Sequence, residues 1–245
     1  MIKFHQLVKK FGERVVLNGI SFEVQEGEIL FVLGTSGTGK SVLLKNLVGL
    51  MRPDGGAIEI DGEEVTHYDE EQFLEVRKKC GMVFQHPALF DSLTNFENVA
   101  FGLRRHFRLS DEEIQMKVKK SLELVHLEGV ENKYPSQISY GMQKRVSLAR
   151  TIALEPKILL FDEPTTGLDP VMTNAINQLI FELSRTLKTT SIVVSHDMHC
   201  ALDIADHIIV LDQGKIVANG PPSELRKSSV ELVQNFLKEA LEAEG

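Results

Sequence analysis

Residues 29–50 read ILFVLGTSGTGKSVLLKNLVGL, in which an apolar run passes through a glycine-rich loop into a second apolar-patterned segment. The first run predicts a buried strand over 28–33, and the spacing of the leucines predicts a helix over 40–50. The loop between them, residues 34–41, has the pattern G-x-x-x-x-G-K-S in the strand–loop–helix context that this pattern requires. The stretch therefore predicts an α/β fold with a phosphate-binding loop at the end of a central strand.

This loop carries the groups that a nucleoside triphosphate and Mg²⁺ require. Glycines let backbone N–H groups face phosphate oxygens without an intervening Cβ, and the start of the helix presents its positive dipole end to the same anion. We expect the Lys40 ammonium near the β and γ phosphates and the Ser41 hydroxyl on Mg²⁺, which prefers oxygen ligands. The residues expected to contact the nucleotide here are Gly34, Thr35, Ser36, Gly37, Thr38, Gly39, Lys40, Ser41 and Val42.

Two further strands end in polar side chains that suit hydrolysis. KILLFDEP, residues 157–164, places Asp162 and Glu163 at the carboxyl end of an apolar strand, and IVVSHD, residues 192–197, places His196 after another. Parallel strands present these ends at one edge of a sheet, so the three side chains are expected beside the loop. We expect Asp162 to hold Mg²⁺ through water, Glu163 to deprotonate an attacking water, and His196 to contact the γ-phosphate. In isolation an acidic pair after a strand is usually a polar loop, and a lone histidine is more often structural.

The amino-acid composition limits which classes of protein this chain can belong to. The 245 residues are 42% hydrophobic and 25% charged, as in an ordinary globular protein, and the net charge is −8. Phosphate backbones are held by Lys and Arg clusters, so we expect no nucleic acid as a partner. The two cysteines, Cys80 and Cys200, lie outside any CxxC or Cys/His cluster. The apolar runs fall far short of the roughly 20 residues that a membrane helix needs, so a partner protein is expected to provide any link to a membrane.

Strands and helices alternate along the chain, which predicts one domain over residues 1–245 with a mostly parallel sheet. A helical subdomain is expected at about 87–147, where the capping box formed by Ser110 and Glu113 marks a helix start. The C-terminal tail, about 222–245, is expected to form an amphipathic helix that packs either on its own domain or on a second copy. Its apolar residues are Val230, Val233, Phe236, Leu237 and Leu241. The other elements are expected as strands at residues 2–8, 15–24, 57–61 and 80–84 and a helix at 170–187.

The order of these motifs resembles the ATP-binding subunit of an ABC transporter over essentially the whole chain. The resemblance assigns a motif of that family to each of seven places in the sequence. These are GTSGTGKS as Walker A, Gln85 in MVFQHPALF as the Q-loop, ISYGMQKR as the signature, ILLFDE as Walker B, Asp169 in GLDP as the D-loop, His196 as the switch histidine, and Phe11 in KKFGERVVL as the aromatic residue that stacks on adenine.

The fold that this resemblance implies is a P-loop ABC ATPase. It has a RecA-like parallel-sheet core, an N-terminal antiparallel β subdomain and a helical subdomain. The implied ligands are ATP and Mg²⁺, with Ser41, Gln85 and Asp162 holding the metal. The catalytic residues that the resemblance implies are Lys40, Glu163 and His196.

In that family two subunits enclose two ATP molecules, and each signature faces the Walker A loop of the other subunit. The resemblance assigns this surface to Ser139, Tyr140, Gly141 and Met142, with tyrosine in place of the usual first glycine and methionine in place of glutamine. A tyrosine where φ > 0 is needed would be strained by about 1–3 kcal/mol, whereas at a helical position it adds only bulk at the subunit interface. We expect the helical case, with ATPase activity retained at the usual rate or at a lowered one. The alternative is a regulatory subunit that binds ATP without hydrolysing it.

The sequence is most similar to the ATPases of Mla/Mce-type lipid transporters, on the evidence of LFDSLTNFENVAF, residues 89–101, and Met142. This resemblance implies ATP-driven phospholipid transport through a membrane permease, with a lipid-binding Mce-domain protein as a further partner. The subunit would lie on the cytoplasmic side of the bacterial inner membrane. Leu89, Phe90 and Phe96 are then candidates for a groove that receives a permease helix, or else belong to the lobe core. Alternatives are an importer of amino acids or another small solute, and a non-transport ABC ATPase.

Overall fold

The computed structural model describes residues 1–242, and these residues form ten strands and nine α-helices. In chain order the strands are β1 (Ile2–Phe11), β2 (Arg14–Val24), β3 (Ile29–Leu33), β4 (Gly55–Ile60), β5 (Glu63–Glu64), β6 (Cys80–Val83), β7 (Ile158–Asp162), β8 (Thr190–Ser195), β9 (His207–Asp212) and β10 (Lys215–Gly220). The helices are α1 (Lys40–Leu47), α2 (Glu70–Lys79), α3 (Asn95–His106), α4 (Asp111–Leu124), α5 (Tyr140–Ile152), α6 (Pro170–Leu187), α7 (Met198–Ile204), α8 (Pro222–Leu225) and α9 (Glu231–Glu242), with a 3-10 turn at Pro135–Gln137.

Six of the strands form one sheet in the order β10–β9–β3–β8–β7–β6. Within it β3 pairs in parallel with β8 and β9, and β7 pairs in parallel with β6 and β8, while β10 runs antiparallel to β9. The register pairs Leu33 with Ser195 and Asp162 with Val194. The ends of β3, β7 and β8 therefore lie at one edge of the sheet, as the sequence predicted.

Side chains of the central strand alternate between two hydrophobic layers. Phe31 packs in the layer that contains α6, α7 and the helical lobe, whereas Leu30 and Val32 pack in the layer that contains α1 and the N-terminal strands. All three are fully buried, and burying each such side chain contributes roughly 1.5–3 kcal/mol. Packing on both faces explains why ILFVL is a continuous apolar run and fixes the position of the loop that follows it.

The other sheet is antiparallel, in the order β2–β1–β4–β5. It covers α1 and confirms the predicted N-terminal β subdomain. β1 extends three residues beyond the predicted strand at 2–8 and ends at Phe11, which therefore belongs to the strand. Its pairing with β2 closes at Phe11 and Arg14, so both side chains lie at the same end of this sheet.

The helical lobe consists of α3, α4 and α5. The predicted capping box is present: Ser110 Oγ accepts from the backbone N–H of Glu113 at 3.3 Å, and a Glu113 carboxylate oxygen accepts from the N–H of Ser110 at 2.7 Å. α5 runs to Ile152, five residues past the expected boundary at about 147, because its apolar face continues into the core with Leu148, Ala149 and Ile152.

One local prediction was wrong in its boundary, and one helix was not predicted. The helix predicted over 40–50 ends at Leu47 because Gly49 adopts φ +68°, and the N–H groups of the two residues after it turn back to the carbonyl of Lys45. The sequence reading also lacked α2. This helix is marked by a capping box between Asp69 and Gln72, a signal that was present in the sequence.

The C-terminal helix α9 packs on its own domain. Val233 and Phe236 are buried in the layer that includes α7, whereas Leu241 is 66% exposed. The structure therefore shows the first of the two predicted packing modes. Residues 243–245 of the predicted tail lie outside the described residues. Among the described residues no helix is both long and apolar enough to cross a membrane.

Candidate functional site

In the glycine-rich loop between β3 and α1, neighbouring atoms lie very close to the backbone. Gly39 has φ +99°, and a Cβ there would lie 2.8 Å from the Leu17 side chain. A Cβ at Gly34 would lie 2.6 Å from the carbonyl oxygen of Leu211. Larger residues are therefore excluded at both positions, and α1 begins at Lys40 as predicted.

Lys40 lies inside this loop, with only 6% of its side chain exposed. Its Nζ atom donates to the carbonyl oxygens of Gly34 at 2.7 Å and Thr35 at 3.1 Å. The same atom lies 3.3 Å from Oε1 of Glu163. The ammonium group is thus placed between the loop and the end of β7, the position at which it can reach a phosphate held by the loop.

Glu163 follows β7 in a left-handed backbone conformation, with φ +51°. A non-glycine residue in this region is strained by about 1 kcal/mol or more, and such strain concentrates at functional sites. The Glu163 N–H donates to the carbonyl of Val194 at 3.0 Å, which holds the residue against β8. Its Oε2 atom lies 2.8 Å from Nδ1 of His196. The strained residue therefore carries a carboxylate that contacts both Lys40 and His196.

The charges in this triad determine its protonation. Burial acts to raise the pKa of Glu163, but the hydrogen bond from His196 and the charge of Lys40 outweigh burial and hold that pKa below its ordinary value. The hydrogen bond to Glu163 raises the pKa of His196, against the opposing effect of burial. Glu163 is accordingly ionised, and His196 is biased toward its protonated form.

A pair of oxygen ligands lies beside the triad. Ser41 Oγ donates to Oδ1 of Asp162 at 2.6 Å, and Asp162 is largely buried at the end of β7. Hydroxyl, carboxylate and amide oxygens are the ligands that Mg²⁺ prefers. Gln85, which carries an amide, lines the same cavity. These three residues therefore fit the predicted metal site.

An open cavity of about 710 Å³ brings most of the predicted residues together, and its size suits a nucleotide. The predicted residues that line it are Phe11, Thr35, Ser36, Gly37, Gly39, Lys40, Ser41, Val42, Gln85, Glu163 and His196. Three predicted residues lie behind its wall instead. Gly34 and Asp162 contact Lys40 and Ser41, and Thr38 Oγ1 donates to the carbonyl of Thr35 at 2.9 Å.

Five lining residues were missed from the sequence: Arg14, Val16, Thr166, Phe236 and Glu239. Arg14 follows Phe11 by three residues and donates to the carbonyl of Gly37 at 3.2 Å. Thr166 follows Glu163 by three residues and contacts its carboxylate at 3.4 Å. The sequence spacing could have suggested these two. Phe236 and Glu239 come from α9, and only the fold places this helix at the cavity.

The signature residues lie at the start of α5. Ser139 is the N-cap, and its hydroxyl accepts from the N–H of Met142 at 3.3 Å. Tyr140 is the first helical residue and does not have positive φ, so the helical interpretation is confirmed and backbone strain is excluded. The four signature residues do not line the cavity of their own chain. Asp169 also lies outside it and caps α6, accepting from the N–H of Met172 at 3.0 Å.

Comparison with known proteins supports this arrangement. Residues 17–166 match the family model described as ABC transporter. The chain is 40% identical over 238 residues to the intermembrane phospholipid transport system ATP-binding protein MlaF of Haemophilus influenzae, covering 97% of this chain and 90% of that protein. It is 40% identical over 245 residues to a sulfate/thiosulfate import ATP-binding protein of Bradyrhizobium diazoefficiens, covering 98% and 70%. A probable ribonucleotide transport ATP-binding protein of Mycobacterium leprae is 39% identical over 236 residues, covering 96% and 68%.

Solved structures give the same fold. An ATP-binding cassette solved as a dimer in a post-hydrolysis state with ADP and Pi superposes with a TM-score of 0.82 at 33% identity, covering 91% of this chain and 99% of that chain. The protein cbiO1 from Clostridium perfringens, part of an ABC transporter complex, gives a TM-score of 0.85 at 30% identity, covering 97% and 98%.

Proposed function

Because this chain belongs to the ABC transporter family and is an ATPase, we propose that it powers phospholipid transport across or between bacterial membranes through a partner permease. The observation that carries the lipid assignment is the similarity to a phospholipid transport ATPase along almost the whole of both chains. Met142 and residues 89–101, which resemble the same branch, support it. The subunit then acts at the cytoplasmic face of the inner membrane.

The geometry supports specific roles for the residues around the cavity. Adenine stacks on Phe11, which is 47% exposed at the end of β1. The triphosphate lies in the glycine-rich loop, where Lys40 and the start of α1 supply positive charge. Ser41, Asp162 and Gln85 would hold Mg²⁺, which when bound neutralises charge on the β and γ phosphates.

Hydrolysis requires the Glu163 carboxylate to be released from its cations. As ATP enters, Lys40 and His196 turn from Glu163 to the oxygens of the γ-phosphate. Glu163 then accepts a proton from water while the water oxygen bonds to the γ phosphorus. The bond from that phosphorus to the bridging oxygen breaks, and ADP and phosphate form. General base catalysis of this kind contributes typically about 10²–10⁴-fold.

A second copy of the chain completes each site. Ser139 and Gly141 lie at the start of α5, where a helix presents N–H groups and a positive dipole end to an anion. In the proposed dimer they face the γ-phosphate held by the partner subunit, and Asp169 lies close to the same interface. The dimeric ATP-binding cassette of the same fold supports this arrangement.

The permease is proposed to dock beside the segment that follows Gln85. The rings of Phe90 and Phe101 pack in a tilted arrangement with centroids 4.7 Å apart, and each residue is more than 40% exposed. Asn98 holds Phe90 in place, because its side-chain oxygen accepts from the Phe90 N–H at 2.8 Å and its amide donates to the Phe90 carbonyl at 3.0 Å. An apolar permease helix would fit this exposed aromatic pair.

The three candidate residues divide between the two predicted alternatives. Leu89 and Phe96 are partly buried against the core of the helical lobe, whereas Phe90 is exposed. Phe101, one turn along α3 from Glu97, replaces them at the surface. Helical spacing in the sequence could have predicted its exposure, because Phe101 lies off the apolar stripe formed by Phe96, Val99, Ala100 and Leu103.

A transport assay tests the lipid assignment. The chain would be purified with its permease and an Mce-domain partner, reconstituted in vesicles, and supplied with Mg-ATP. We expect ATP-dependent transfer of a fluorescent phospholipid that stops when Glu163 is replaced by Gln. A complex without lipid transfer that instead accumulates sulfate or another small solute favours the second candidate, a solute importer. The sulfate/thiosulfate import protein, which is also 40% identical, supports that candidate.

A further inference from the structure

The side chain of Tyr140 contacts its own chain. Its hydroxyl lies 3.2 Å from Nδ1 of His86, and its ring lies below the ammonium of Lys144, 5.4 Å from Nζ to the ring centroid. The ring also borders Gly167, where an added Cβ would lie 3.8 Å from Cε1 of Tyr140. The ring therefore contacts the segment after Gln85, the second turn of α5 and the loop that precedes α6.

Lys144 provides a fixed surface for the ring. Its side chain is only 6% exposed, and Nζ donates to the carbonyl oxygens of Gln85 at 3.0 Å and Pro164 at 2.6 Å. Pro164 directly follows Glu163, and Gln85 faces the nucleotide cavity. The ammonium that lies over Tyr140 is thus tied to the two loops that border the catalytic residues. Because these bonds fix the Lys144 ammonium, it can make a cation–π contact with the Tyr140 ring from a constant position.

Tyr140 occupies the position between Ser139 and Gly141, the two residues that the proposed dimer needs at the partner's phosphate. A freely rotating tyrosine there could cover the exposed Ser139 hydroxyl, which caps the same helix. Gly141 is already buried, because an added Cβ there would lie 2.3 Å from Cε of Met172. The ring is instead 36% exposed and directed toward His86 and Lys144. Its hydroxyl, which a glycine lacks, is the atom that makes the contact with His86.

We propose that His86 and Lys144 hold the Tyr140 ring against its own subunit and thereby keep the exposed Ser139 side chain open to the partner's phosphate. His86 is a positioning residue that acts through Tyr140 and does not touch nucleotide. The inference rests on the proposed ATP-sandwich dimer for its functional consequence, while the position of the ring is a property of the single chain.

The position of the ring can be measured without any activity. The chain has three tyrosines and no tryptophan, so incorporation of 3-fluorotyrosine gives a three-residue ¹⁹F spectrum. The Tyr140 resonance, assigned with Tyr140→Phe, should shift in His86→Ala, while those of Tyr68 and Tyr134 stay in place. His106→Ala, a change at another exposed histidine, should shift none of them. A Tyr140 resonance that is unchanged in His86→Ala would overturn the proposal.

The functional consequence is tested by combining substitutions in the full permease complex. His86→Ala should lower the rate of ATP hydrolysis about 3–10-fold, the effect expected from losing one hydrogen bond. In a Tyr140→Gly background the same substitution should cause no further loss, because no ring remains to be held. An equal loss in both backgrounds, or no loss in the wild-type background, contradicts the proposal.

Failure of the proposed dimer can be distinguished from failure of this inference. Glu163→Gln protein should dimerise in the presence of Mg-ATP. Adding His86→Ala should raise the ATP concentration that dimerisation requires. If Glu163→Gln does not dimerise even within the complex, the sandwich is wrong and the ¹⁹F result still reports the ring position. If it dimerises at the same ATP concentration with and without His86→Ala, the sandwich stands and the role of His86 is wrong.

Discussion

The Nζ atom of Lys40 lies 3.3 Å from one carboxylate oxygen of Glu163, whose other oxygen lies 2.8 Å from Nδ1 of His196. A carboxylate held between two cations is a poor base, because both contacts favour its ionised form. The phosphate oxygens of ATP carry more negative charge than the Glu163 carboxylate, so they compete with it for Lys40 and His196. In the proposed mechanism, nucleotide binding and release of the base are therefore one event, and water is not activated before the phosphate is in place.

Replacing Glu163 by Gln should separate binding from hydrolysis. We expect phosphate release by the complex to fall at least about 100-fold, because the proton acceptor is lost. ATP affinity should stay the same or increase, because Lys40 no longer has to break an ion pair with residue 163 before it contacts phosphate. Phosphate release and fluorescent-nucleotide titration measure the two effects. Glu128→Gln, at an exposed position of the helical lobe, is the control. Retention of more than a tenth of the wild-type rate would assign the base elsewhere.

The Glu163–His196 contact should make the stability of the nucleotide-free chain depend on pH. The raised pKa of His196 contributes stability below its ordinary value of 6.5, and this stability is lost as pH rises through the raised value. The lowered pKa of Glu163 contributes stability above its ordinary value of 4.5, and this stability is lost as pH falls through the lowered value.

The stabilisation by this pair should consequently be largest between about pH 4.5 and 6.5. His196 is 61% exposed, so the difference in unfolding free energy between wild type and His196→Ala should stay below about 1 kcal/mol. Urea unfolding at pH 5.5 and pH 8.5 measures it. A difference that is larger at pH 8.5 would mean that the contact is not an ion pair.

Phe11 should bind adenine by stacking. Phe11→Ala is expected to weaken both ATP and ADP binding about 5–20-fold, toward the lower end of the 1–3 kcal/mol range for base stacking because the ring is half exposed. The hydrolysis rate at saturating ATP should change little, and Phe11→Tyr should restore affinity. Phe107→Ala removes a phenylalanine of the same 47% exposure and is the matched control. An equal loss in both variants would point to a general effect on folding.

Glu239 places a negative charge on the wall of an anion-binding cavity. Glu239→Gln should increase ATP affinity about two- to fivefold at low ionic strength, and the gain should shrink in high salt. Glu231→Gln changes the same helix, α9, at an exposed position outside the cavity and should have no such effect. A gain that is independent of salt would contradict an electrostatic origin.

The sequence predicted the part of this site that depends on local chain geometry. The loop at residues 34–41 needs glycines because of positive φ and the close approach of other atoms to its backbone, so these residue types directly indicate its conformation. Asp162, Glu163 and His196 were placed beside the loop by one rule, that parallel strands end at a common edge. These predictions succeeded because each rests on a single strand and the residues next to it.

The rest depended on contacts between distant segments. Tyr140 and His86 are 54 residues apart, and the sequence shows a tyrosine in the signature without showing where its ring lies. Phe236 and Glu239 reach the cavity only because α9 packs beside α7. Residues of this kind need three-dimensional neighbours to be assigned.

The central claim is that the cavity beside Lys40 binds Mg-ATP, and calorimetric titration of the chain tests it most directly. Wild-type protein, alone or in its permease complex, should bind Mg-ATP with one site per chain, and Lys40→Ala should lose most of that affinity without losing its fold. Absence of Mg-ATP binding in both forms, or binding that Lys40→Ala leaves unchanged, would contradict the account.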